Sequence, residues 1–80
     1  MTEEERKMML RHFAYWTDKL ERGIVHVFGP VSDPNGGYGL AIIEVEGEEQ
    51  VQALFESDPA VISGLLSEEF YPMRAVLPKH

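Results

Sequence analysis

Apolar residues recur along the first quarter of the chain at helical intervals. Met9, Phe13, Trp16 and Leu20 follow one another at steps of four, three and four, which puts them on one face of a helix over TEEERKMMLRHFAYWTDKLERG, residues 2–23. Thr2 and Glu5 stand in capping-box spacing, and the glutamates of the first turn favour the positive end of the helix dipole. Gly23 falls where a left-handed cap closes a helix. The pattern then changes. IVHVFGP, residues 24–30, is β-branched and aromatic with no helical period, so a strand is expected, ending at Gly29-Pro30 because proline cannot donate to a ladder. VSDPNGG carries the turn dipeptides Asp33-Pro34 and Asn35-Gly36, and YGLAIIEVE, residues 38–46, reads as the returning strand of a hairpin. Ile42 and Ile43 face opposite sides of that strand, which implies partial cover on both.

Helical spacing resumes in GEEQVQALFES, with Val51, Leu54 and Phe55 expected to point inward. Asp58-Pro59 breaks this helix, since the residue before proline is pushed out of the helical region. The same pair can open another helix, with Asp58 as N-cap, Pro59 in the first turn and Gly64 near the end. EEFYPMRAVLP, residues 68–78, alternates well enough to predict a last strand, on an edge or bulged at Pro72. The expected order is helix, strand, strand, helix, strand in a single domain spanning 1–80, without repeats, low-complexity tracts or linkers.

Length and charge narrow what such a chain can do. Eighty residues approach the lower limit for one core without a staple, and with 44% hydrophobic residues self-association is an expected source of stability. The absence of cysteine excludes disulfides and thiolate zinc sites. Seven Lys+Arg against fourteen Asp+Glu give a formal charge of −7, and no basic cluster is available for phosphate contacts. Nucleic acid and anionic membrane surfaces are therefore not expected partners. The acidic runs TEEER, EVEGEE and SEE read as solvated surface. Neither a membrane-spanning run nor a secretory leader is recognisable, and a cytoplasmic location is expected.

Candidate chemistry is sparse. His12 borders the apolar stripe of the first helix, and Asp58 opens the turn after the second. If folding joins them, directly or through water, an imidazole facing a carboxylate is an acid/base pair for neutral pH. The bland alternatives are a histidine that bonds a carbonyl and an aspartate that caps a helix; capping and orienting an imidazole are compatible, because a carboxylate has lone pairs to spare. His26, between valines and sharing a face with Ile24 and Phe28, reads as a buried or interface histidine, and His80 as terminal. No histidine pair has metal-ligand spacing, so no metal or other cofactor is expected. The glycines at 36, 37 and 39 lead into a strand and not a helix, which makes them hairpin chemistry and not a phosphate loop. Gly29, Pro30 and Asp33 lie where a loop can rim a pocket, and aromatic residues such as Trp16 can line one for a small organic molecule.

Taken together, HFAYW with His12, the FGPVSDP hairpin with Gly29 and Pro30, the Asp58-Pro59 step with Gly64 after it, and EFYPM resemble the YCII-related (YciI-like) family, over about His12 to Met73. The resemblance implies an α+β fold, here a shortened ferredoxin-like unit (α-β-β-α-β) with both helices on one face of the sheet, of the type that pairs into dimeric α+β barrels. It also implies that His12 and Asp58 line an active site. Relatives open with a strand before the first helix. This chain starts at the helix, so either its true start lies upstream or it is a shortened version, and the last strand or a partner chain is expected to fill the gap. Two functions follow: acid/base catalysis on a small organic molecule, or a non-catalytic ligand-binding or protein-interaction module that is a homodimer or higher.

Overall fold

The computed structural model describes residues 1–76 and 78. Its elements run α1 (Glu3–Glu21), β1 (Val25–Val31), β2 (Tyr38–Ile43), α2 (Glu48–Glu56) and α3 (Pro59–Ile62). The class is α+β, built on one antiparallel hairpin with helices against it.

Local signals act as expected at the ends of the helices. Thr2 and Glu5 form the reciprocal capping box: Thr2 Oγ1 accepts from the Glu5 N–H at 3.1 Å and Glu5 Oε1 from the Thr2 N–H at 2.9 Å. At the other end Gly23 takes φ +81°, and the Ile24 N–H returns to the Lys19 carbonyl at 3.1 Å, so the chain leaves α1 directly into β1. The hairpin tip is held by Asp33, whose Oδ1 accepts from the Asn35 N–H at 2.9 Å.

The sheet register departs from simple alternation. Val25 pairs with Ile43, but Val27 pairs with Ile42, so a bulge lies at His26. The bulge turns Val25 into the core and His26 outward. His26 is exposed and lies 2.9 Å from Glu44 across the hairpin; of the expected buried or interface histidine, burial within the chain is corrected here. The inner face of the sheet, with Val25, Phe28, Ala41 and Ile43, packs on Trp16 and Leu54. The outer face carries Val27, Tyr38 and Leu40, each more than half exposed. β1 continues one residue past Pro30; this strand is paired on one side only, where a missing N–H is tolerated.

Two further expectations change. Of the predicted stripe on α1 only Trp16 is buried, while Phe13 is 60% exposed. The face that meets the core is rotated toward His12, Tyr15, Trp16 and Lys19, because α1 packs both on β1 and on α3. The last strand does not form among the described residues, and its Leu77 lies outside them. Instead this segment folds back on the helices, with the Phe70 ring 5.8 Å from that of Phe55. Among the described residues the sheet has two strands, β1 and β2, so the last segment does not pair with β2 to fill the gap.

Candidate functional site

The site is assembled where α1 crosses the start of α3. Asp58 takes an extended backbone as N-cap, followed by Pro59 at the first helical position, and its Oδ1 accepts from the Ala60 N–H at 2.9 Å. That bond fixes the carboxylate and aims its other oxygen at α1. Oδ2 receives two further N–H groups: Trp16 Nε1 at 2.7 Å and His12 Nδ1 at 2.7 Å. His12 and Trp16 are four residues apart, hence stacked on one face of α1, which is why a single oxygen can serve both. Asp58 is 0% exposed, and Trp16 is buried beside it.

This arrangement decides the state of the imidazole. An ionised carboxylate only accepts, so the hydrogen on the His12 ring sits on Nδ1 and the lone pair on Nε2. The His12 side chain is 21% exposed, with no hydrogen bond to Nε2 among the described residues. A buried acid thus holds a partly exposed ring in one tautomer, the geometry that a histidine base requires. Tyr15, on the same helix, packs against the core and edge-on to Trp16. Its hydroxyl donates to the Leu54 carbonyl at 2.7 Å, and burial first, then the charge of Asp58, pushes its phenol up.

Glu68 was not singled out by the sequence, where SEE reads as solvated surface. It is half-buried against Asp58, and its Oε1 is sealed from water without a partner. Burial, followed by hydrogen bonding to Asp58 and its charge, pushes the carboxyl up to about 8. No local pattern marks Glu68, because its burial comes from the fold-back of the segment after α3.

His12, Asp58 and Glu68 offer donor atoms that all lie within 4.8 Å of one another, close enough for a cation. The three come from separate parts of the chain, so a search for paired spacing does not find them. Their chemistry does not fit a metal, however. Asp58 spends three of its four acceptor positions on N–H groups, and the nitrogen of His12 that faces it bears hydrogen.

The other candidates lie elsewhere. Gly29 and Pro30 are paired with Leu40 and Gly39 in the hairpin, and Asp33 is occupied at its tip. None of them hydrogen-bonds to the dyad. An open groove of about 410 Å³ runs beside the site, lined by Tyr15, Lys19, Ile24, Gln50, Ala53, Leu54 and Ser57. It reaches the neighbour of Asp58 in sequence but does not include His12.

The family model for the YCII-related domain matches residues 1–73 of the 80. The chain belongs to the YCII-related domain family. The match takes in both members of the dyad, the tryptophan that holds it and Glu68. It also places the opening helix of this YCII-related chain inside the domain. No curated protein and no solved structure matches the chain.

Proposed function

We propose that this YCII-related domain is a small enzyme that moves protons on a small organic molecule, with His12 as the acid/base group and Asp58 as the residue that orients it. The observation that carries the reading is the buried carboxylate that fixes Nδ1–H and leaves Nε2 unbonded on an accessible ring. Trp16 acts by holding Asp58, not by lining a ligand pocket. Covalent catalysis is not part of the proposal, since no serine or threonine hydroxyl is hydrogen-bonded to the His12 ring among the described residues. Among the described residues no helix is long and apolar enough to cross a membrane; we place the protein in the cytoplasm.

The second reading, a binding module without chemistry, draws on the groove, which lies beside His12 and not over it. A thermal-shift screen against small metabolites separates the two, because a ligand that binds the folded state raises the melting temperature by mass action. The enzyme reading expects a compound that His12→Gln still binds but no longer converts. A compound bound and left unchanged by the native protein, with binding indifferent to His12, supports the module.

Self-association is part of the proposal. The outer sheet face carries Val27, Tyr38 and Leu40, each more than half exposed among the described residues, and a second copy would bury that face. Sedimentation is expected to show a dimer or larger species, and Leu40→Lys to shift it toward monomer. A native protein that is monomeric at high concentration would remove this part.

A further inference from the structure

Asp58 has four acceptor positions and three N–H donors, which leaves one position open. The Glu68 carboxyl lies against it, with Oε1 sealed and without a partner. As two ionised carboxylates these groups have no hydrogen between them and repel in a site that excludes water. With a proton on Glu68 the same contact becomes an O–H donated to Asp58, which fills the open position of its shell. We propose that Glu68 is a third member of the site, a neutral carboxylic acid that completes the shell of Asp58 and positions the dyad through it. This rests on the proton-transfer reading of His12 and Asp58, and it adds a proton-holding group to that site.

The groups that face Glu68 are consistent with a neutral carboxyl. Asp58 approaches from the start of α3, and His12 and Tyr15 from α1. Among the described residues no lysine or arginine forms an ion pair with Glu68. Two carboxylates sharing one proton, with the single remaining charge spread over three N–H donors, is the arrangement of lowest cost.

The consequence is a pH dependence of definite sign. A carboxyl whose folded value is raised from about 4.5 to about 8 binds more protons in the folded than in the unfolded chain across that interval. Its contribution to stability is full below about pH 4.5, declines as pH rises, and is gone above about 8. Above that point the repulsion between Glu68 and Asp58 also disturbs the ring of His12.

The test compares native protein, Glu68→Gln and Glu68→Ala. Glutamine donates an amide N–H to Asp58 and cannot ionise, so its melting temperature is expected to match the native value near pH 4 and exceed it by a widening margin up to pH 9. Alanine is expected to be less stable than glutamine at both. The ¹³C signal of the Glu68 carboxyl is expected to titrate near 8, and the His12 ring signals of the native protein to follow the same step, which Glu68→Gln removes. Titration of Glu68 near 4.5, or a native minus glutamine difference that does not change with pH, overturns the proposal. So does stabilisation of the native protein but not Glu68→Gln by added Zn²⁺, which would mean that a cation fills the gap. The carboxyl signal reads Glu68 alone; loss of turnover in His12→Gln reads the dyad, so the two ideas fail separately.

Discussion

Asp58→Ala is expected to cost roughly 3–5 kcal/mol. The change removes a helix cap worth about 1 kcal/mol and a charge-assisted acceptor for Trp16 and His12, and it leaves the buried indole N–H unpaired at about 1–3 kcal/mol. For 80 residues a total stability of about 4–12 kcal/mol is ordinary, so at least about a quarter of it goes. Urea unfolding reads this as a fall in midpoint at unchanged slope. Asp58→Ser sharpens the test. Serine caps helices about as well as aspartate, but its shorter side chain cannot reach Trp16 and His12. It is expected to recover only the cap, about 1 kcal/mol. Recovery of nearly all the stability by serine would show that Asp58 is a helix cap and little more.

His12→Gln is expected to lower turnover about 10²–10⁴-fold while the fold stays within about 1.5 kcal/mol of native stability. The two effects separate because the glutamine amide can still donate to Asp58, so the buried carboxylate keeps a donor, but it offers no basic nitrogen in place of Nε2. Asp58→Asn attacks the same chemistry from the other side. Its amide is a donor, so it favours the tautomer with hydrogen on Nε2 and removes the base without removing the ring. The measurement is the rate of conversion of whichever compound the ligand screen identifies, for native protein and both variants. Unchanged turnover in His12→Gln would end the enzyme reading.

Some of this structure is written locally and was legible for that reason. The capping box of Thr2 and Glu5, the left-handed Gly23 and Gly64, and the Asp58-Pro59 helix start each depend on a few consecutive residues. The hairpin is set by its turn in the same way. What failed is what tertiary packing decides. The alternation of EEFYPMRAVLP suits a strand, but a strand needs a partner ladder, and this segment folds back to cover Asp58 and Phe55 instead. The apolar stripe of α1 was read as the buried face, yet two packing partners rotate the helix so that His12 and Tyr15 turn inward and Phe13 outward. Trp16 was visible as an aromatic on that face, but its bond to Asp58 was not. His12 and Asp58 stood out singly as candidate chemistry, and the resemblance supported pairing them, since nothing in either local sequence points to the other. Glu68 had no such help: a glutamate in an acidic run is surface by any local rule, and only the fold buries it.

Nitrogen-detected NMR of the His12 ring tests the central claim most directly and needs no substrate. In the neutral ring Nδ1 is predicted to bear the hydrogen and Nε2 the lone pair, with Asp58→Asn reversing the two. Hydrogen on Nε2 in the native protein, or ring signals that Asp58→Asn leaves unmoved, would contradict the account.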